Sequence, residues 1–144
     1  MFIKQLSVFV ENKQGALSEI MSKLSENGVN MRAVSIADTQ DFGVLRMIVN
    51  DTEKAKNVLK EHRVIVAAND VLGVELQDRP GALSEVLKIL GAGGVNIEYM
   101  YAFVAPGREG SAYLVVRPRN NQKAEKILAD HGIPMLSEED VKKM

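Results

Sequence analysis

The 144-residue chain has no cysteine and no tryptophan, four prolines, four phenylalanines and three tyrosines. Without cysteine there is no disulfide, no thiolate metal ligand and no cysteine nucleophile, which fits a reducing cytoplasm. Histidine is almost as scarce. His62 and His131 are the whole supply, too few for a transition-metal shell, so neither a metal nor another cofactor is expected. Charge of one sign is also missing: 18 basic and 19 acidic side chains leave a net charge of −1. That balance offers no electrostatic footprint for nucleic acid or for an anionic membrane surface. No apolar run approaches the length needed to span a bilayer. The N-terminus, MFIKQLSVFVENK, alternates apolar and polar residues instead of joining a basic region to an apolar block, so no signal peptide is expected.

What is present is a repeat. Gly15–Asn30 and Gly81–Asn96 lie 66 positions apart and agree at nine of sixteen positions, including Gly-Ala-Leu-Ser-Glu at the start and Gly-Val-Asn at the end. Further on the offset becomes 69: Lys54 and Ala55 match Lys123 and Ala124, Leu59 matches Leu128, and His62 matches His131. The three extra residues fit between TQDFG (Thr39–Gly43) and the longer APGREG (Ala105–Gly110), where Gly and Pro mark a longer hairpin turn. The chain therefore reads as a tandem duplication, residues 1–68 and 69–144. Its seam near Ala67–Val71 is too short for a free linker.

Each copy carries the same element signals. Phe2–Glu11 alternates in the manner of a half-buried strand. Leu17, Ile20, Met21 and Leu24 then form one helical stripe ended by Gly28; Leu83, Val86, Leu87 and Leu90 repeat it before Gly93-Gly94. VNMRAVSIA and GVLRMIVN read as two strands joined by a short turn. DTEKAKNVLKEH reads as a helix capped by Asp51 or Thr52, and VIVAA as a closing strand. In the second copy the closing strand, Ile133–Leu136, contains Pro134 and suits only an edge; SEEDVKKM reads as a short terminal helix with Ser137 as N-cap. The order β-α-β-β-α-β is the split βαβ, or ferredoxin-like, arrangement, an α+β fold with helices on one face of an antiparallel sheet. Each unit is small, so the two are expected to pack together.

The doubled stretch stands between a strand and a helix. Glycine at such a corner lets a ligand approach the backbone, and the following helix N-terminus offers unpaired N–H groups with partial positive charge. A small carboxylate suits it, with Gly15, Ala16 and Leu17 as backbone donors in one copy and Gly81, Ala82 and Leu83 in the other. Glycine that merely shapes a tight turn accounts for the same residues. Asn30 and Asn96, where the second strands begin, carry an amide that can both donate and accept, which suits a zwitterion; an Asn satisfying a helix-end carbonyl is the structural alternative. Asn12 and Asp78 lie 18 positions upstream and are natural candidates to converge with them in two equivalent pockets.

The segment DRPGALSEVLKILGAGGVNI (Asp78–Ile97) resembles the signature of ACT domains, small amino-acid-sensing modules appended to many metabolic enzymes. NKQGALSEIMSKLSENGVNM (Asn12–Met31) is a looser copy with Gln14 in place of the proline. The resemblance implies two such domains over essentially the whole chain, paired through their second strands into an eight-stranded sheet with four helices on one side. It also implies an effector amino acid held between one domain's first loop and the other's second strand. In the serine-sensing domain of phosphoglycerate dehydrogenase a loop Asn and the Asn of VNI do this, matching Asn12 and Asn30 here and Asp78 and Asn96 in the second copy. The histidine found there two residues before the loop Asn is replaced by Val10 and Leu76, so serine specificity does not carry over.

Competing functions have less in the sequence. His62 and His131 occupy equivalent places at a helix end, which favours a structural role over catalysis. RNA-binding sheets of this architecture need aromatics on their central strands, and GVLRMIVN and SAYLVVRP supply Tyr113 alone. Tyr99, Tyr101 and Phe103 alternate along one strand as sheet packing or inter-repeat contact would. The expectation is thus a non-enzymatic, cytoplasmic amino-acid sensor acting on a partner enzyme or regulator, with homodimerisation through an exposed edge left open. The alternative is a ligand-free module for dimerisation or partner docking.

Overall fold

The computed structural model describes residues 1–38, 40–103 and 108–144. Strand β1 (Ile3–Glu11), helix α1 (Ala16–Glu26), strands β2 (Met31–Asp38) and β3 (Phe42–Val49), and helix α2 (Thr52–Glu61) lead into a long strand β4 (Val66–Gln77). Helix α3 (Ala82–Ala92), strands β5 (Ile97–Ala102) and β6 (Ser111–Pro118), helix α4 (Asn121–Asp130), strand β7 (Met135–Leu136) and helix α5 (Glu138–Lys143) complete the chain. These are two βαββαβ units, with every strand pair antiparallel. The turns to which the three-residue insertion was assigned, Thr39–Gly43 and Ala105–Gly110, lie partly outside the described residues.

Local chemistry explains most boundaries. Asp51 accepts from the Lys54 N–H and Asn120 from the Lys123 N–H, both at 3.0 Å, so the equivalent helices α2 and α4 start with equivalent caps. Ser137 and Asp140 form a reciprocal capping box at the start of α5. Each histidine ends a helix. His62 Nδ1 meets the Val58 carbonyl and His131 Nδ1 the Ile127 carbonyl, both at 2.8 Å; a carbonyl can only accept, so Nδ1 carries the proton.

The sheet has seven strands in the order β2-β3-β1-β4-β6-β5, with β7 beside β4, rather than eight. The last strand of the first unit and the first strand of the second run on as β4, straight through the seam near Ala67–Val71. AAND contains neither Gly nor Pro to break it. Ile3 pairs with Val71 and Leu136 with Gly73, so β1 and β7 follow one another along one edge of β4 while β6 takes the other. Met135–Leu136 is the only part of the proline-containing segment to pair, and the Pro134 carbonyl accepts from Glu75 N–H at 3.0 Å.

Side-chain alternation divides the interior into three. Leu6, Val8, Leu45 and Met47 pack beneath α1 and α2, around Leu24 and Leu59. Leu72, Val74 and Val116 pack beneath α3 and α4, around Leu90 and Leu128. The face opposite α1–α4 curls until β2 and β5 touch, with a bridge from Ala33 to Phe103, and encloses Ile3, Ile48, Val71, Val115 and Leu136. Val141 of α5 closes this third core. The register also places Gln5, fully buried, within it: Nε2 donates to the Tyr99 hydroxyl at 2.8 Å, and the Tyr101 hydroxyl donates to Oε1 at 2.7 Å. Arg46 stacks 3.8 Å above the Tyr99 ring. The alternating tyrosines are therefore an inter-repeat contact.

Candidate functional site

Gly15 begins α1 with φ +83° and Gly81 begins α3 with φ +89°, a left-handed conformation that disfavours any side chain. Neither helix has a side-chain cap, so the first-turn donors beyond the corner are left for another acceptor. The Ala16 and Ala82 N–H groups are engaged already, turned back onto the Lys13 and Arg79 carbonyls at 3.3 Å.

A cavity of about 330 Å³ opens at the first corner, between the end of β1, the start of α1 and the end of β2. Asn12, Gly15 and Leu17 line it, as do Val10, Lys13, Ser18, Ile36 and Asp38. It has an apolar wall of Val10, Leu17 and Ile36 and a rim bearing charges of both signs. All its lining residues belong to the first repeat, so the closing wall expected from the other repeat is not part of it. Of the lining residues that the sequence did not mark as contacts, Val10, Glu11, Lys13 and Ser18 lie in or beside the motif and Gly43 at the start of β3, whereas two come from the distant end of β2, Ile36 and Asp38. Their signal was the apolar-polar alternation of MRAVSIAD, whose outer end returns to the β1–α1 loop only once β3 is in place.

Asn30 is elsewhere. Asn12 N–H donates to the Asp41 carbonyl at 2.9 Å, before β3, whereas Asn30 exchanges hydrogen bonds with Asn50, after β3. Eight residues of β3 separate the two levels, roughly 27 Å of strand. The second repeat repeats the split: Asp78 N–H donates to Gly110, ahead of β6, and the Asn96 carbonyl accepts from Arg119, beyond it. The physical reason is direction. β1 and β2 both pair antiparallel to β3 and so run parallel, placing the end of one and the start of the other at opposite ends of the sheet.

The loops themselves differ. In the second repeat Arg79 donates from Nη1 and Nη2 to the two carboxylate oxygens of Glu85, at 3.1 and 2.8 Å, and from Nε to Gln77 Oε1 at 2.8 Å. The guanidinium holds the Glu85 carboxyl below the usual carboxylate range. In the first repeat Lys13 pairs with Glu11 at 2.8 Å, which raises its ammonium pKa, and Glu19 lies 3.9 Å from Lys23.

Two further grooves occupy equivalent places in the repeats. One of about 300 Å³ is floored by Val10, Ala16, Ile20 and Val64, and one of about 510 Å³ by Leu76, Ala82, Val86 and Ile133. Among the described residues no group of three or more His, Cys, Asp or Glu side chains could hold a metal ion, and no helix is long and apolar enough to cross a membrane.

A sequence model of the family described as the ACT domain pair matches residues 1–144. The acetolactate synthase small subunit of Buchnera aphidicola subsp. Baizongia pistaciae (strain Bp) is 27% identical over 85 residues, covering 58% of this chain and 54% of that protein. The chain thus spans about half the length of that curated relative. Among solved structures, protein BT0572 from Bacteroides thetaiotaomicron superposes with a TM-score of 0.92 at 41% identity, covering 100% of this chain and 98% of that one. The regulatory subunit of aspartate kinase from Thermus thermophilus shares the fold, with a TM-score of 0.57 at 14% identity, covering 88% of this chain and 90% of that one.

Proposed function

The chain belongs to the ACT domain pair family, and from that premise we propose that it is a non-catalytic sensor of an amino acid that regulates a partner protein. The observation that carries this reading is the cavity at the first repeat's loop. Its features match the parts of a zwitterionic amino acid one by one. The uncapped first turn of α1 suits a carboxylate. Asp38 suits an α-ammonium, and the wall of Val10, Leu17 and Ile36 suits a compact aliphatic side chain. About 330 Å³ is at the small end of ligand pockets, in keeping with such a guest. Asn12 borders this site directly. Asn30 and Asn96, at the far ends of their strands, act in it only if a second chain brings them there, which is the role proposed for a homodimer.

Regulation follows from the lining. Ile36 and Asp38 belong to β2, which meets the second repeat at Ala33 and Phe103, so an effector that draws the loop onto β2 alters the contact between repeats. A partner enzyme or regulator in the cytoplasm reads that change. The names of two similar proteins, a synthase small subunit and a kinase regulatory subunit, accord with such a role. A docking-only module is favoured by one observation, the exposure of Phe9 and Ile65, 54% and 69%, on the helix-free face of the first repeat.

A thermal-shift screen against the twenty amino acids tests the proposal. A ligand at 100 times its Kd stabilises the fold by about 2.7 kcal/mol, a rise of roughly 5–10 °C in a domain of this size. Twenty unmoved melting temperatures at millimolar concentration sink the sensor reading in favour of the docking module.

A further inference from the structure

A second cavity, of about 510 Å³, lies between α5 and the strands β4, β6 and β7, on the sheet face opposite α3 and α4. Its volume is ordinary for a small-molecule site. Strand register explains its lining. Glu75 of β4 stands directly opposite Tyr113 of β6, so the two side chains share a face. The corresponding pair in the first repeat is Phe9 and Val44.

Tyr113 is only 7% exposed and meets Phe103 edge-on, with ring centroids 6.2 Å apart. Its hydroxyl nonetheless has no hydrogen-bond partner among the described residues. The sealed side-chain atoms without a partner among them are Arg32 Nε and Asn121 Oδ1; the Tyr113 hydroxyl is not one of these and opens on the cavity that the residue lines. Phenylalanine would fill the same space with no polar atom to satisfy, so the hydroxyl is left for a partner that the chain does not supply.

Charges of both signs converge around it. Ser111 Oγ donates to one oxygen of Glu75 at 2.9 Å, and the other oxygen has no partner among the described residues. Asp140 uses Oδ2 in its capping box, with Ser137 N–H at 2.8 Å and Oγ at 2.6 Å, and its Oδ1 is likewise unbonded among them. The Ser137 bonds, with Lys143 and Arg108 nearby, hold the Asp140 carboxyl below the usual carboxylate range. Lys143 is taken by Glu139 at 2.6 Å, whereas Arg108 has no ion pair among the described residues. Met135, Leu136 and Met144 supply the apolar lining.

We propose that this cavity is a second amino-acid site, in which Arg108 and the Tyr113 hydroxyl hold the ligand carboxylate, Glu75 and Asp140 hold its ammonium, and Met135 and Met144 meet its side chain. A zwitterion answers both signs at once. A simple anion would face two carboxylates, and a simple cation would face the guanidinium. The class of ligand rests on the reading given above, while the site lies outside the doubled glycine corners and takes nothing from the loop cavity. Helix α5 also reaches the first repeat: the Lys4 N–H of β1 donates to the Glu138 carboxylate, and Val141 closes the shared third core. A ligand held beneath α5 therefore bears on the contact between repeats.

Two of the seven methionines line the cavity, so methyl spectra of the full chain carrying carbon-labelled methionine report on it directly. Each of the twenty L-amino acids is titrated in turn, with the two signals assigned from Met135→Leu and Met144→Leu. At least one amino acid is expected to move both signals saturably. Its Kd should rise about tenfold or more in Tyr113→Phe and in Glu75→Gln, each of which removes a hydrogen bond to a charged group. Tyr113→Phe keeps the ring and its packing, and circular-dichroism melting checks that both variants fold. An amino acid that raises the melting temperature while Met135 and Met144 stay unmoved binds elsewhere, so the sensor reading stands and this site falls. An unchanged Kd in both variants also overturns the assignment. If none of the twenty moves either signal or the melting temperature, the sensor reading and this site fall together.

Discussion

Gln5 is the most informative residue to perturb, because it is fully buried and its two strongest hydrogen bonds cross between repeats. In Gln5→Leu the volume is nearly kept and the amide is lost. Each bond is worth about 0.5–1.5 kcal/mol net, and stranding the Tyr101 hydroxyl without an acceptor costs about 1–3 kcal/mol. Some of this is offset by the apolar gain of leucine, so a net loss of about 2–3 kcal/mol is expected. At roughly 2–4 °C per kcal/mol for a domain of this size, the melting temperature falls by about 5–10 °C. The second arm is decisive. Replacing both partners by apolar groups removes the stranded hydroxyl, so Gln5→Leu combined with Tyr101→Phe should be more stable than Gln5→Leu alone. Urea unfolding of the wild type, both single variants and the double variant closes the cycle. Additive losses would mean that the Tyr101 hydroxyl is satisfied by water, and the picture of a desolvated cross-repeat cluster would be wrong.

Two more predictions follow from the same interior and its glycines. Burial raises the Tyr101 pKa above its usual value near 10, with the neighbouring Tyr99 adding to the shift and Arg46 opposing it. The folded state thus holds this proton more tightly, so its contribution to stability is present in full below pH 10 and is lost as pH climbs from there toward the folded value. Urea titrations from pH 8 to pH 11 should show a steeper decline for wild type than for Tyr101→Phe, and identical slopes would refute the shift. Gly73→Ala would set a Cβ 3.0 Å from Leu136 Cβ and 3.1 Å from Ile3 Cδ1, where β1 and β7 meet along β4, and should cost about 1–3 kcal/mol of overpacking. Gly91→Ala, inside α3 with nothing within 4 Å, should instead stabilise by about 0.5–1 kcal/mol, so equal signs in the two unfolding curves would contradict the packing described.

Local order set the repeat, the element sequence and the helix ends. Caps, stops and alternation act over three or four neighbours, and Asp51, Ser137, His62 and His131 all do what their positions suggest. The curl of the sheet, the fusion of two strands into β4, and the burial of a glutamine against two tyrosines from the other repeat are nonlocal, and only the tertiary structure decided them. The site divides along the same line. The glycine corners are written in the sequence, because a left-handed φ is a property of one residue. That Asn12 borders the cavity and Asn30 does not depends on the parallel run of β1 and β2 about β3. Side chains meet according to strand direction and sheet curvature, which sequence spacing does not contain.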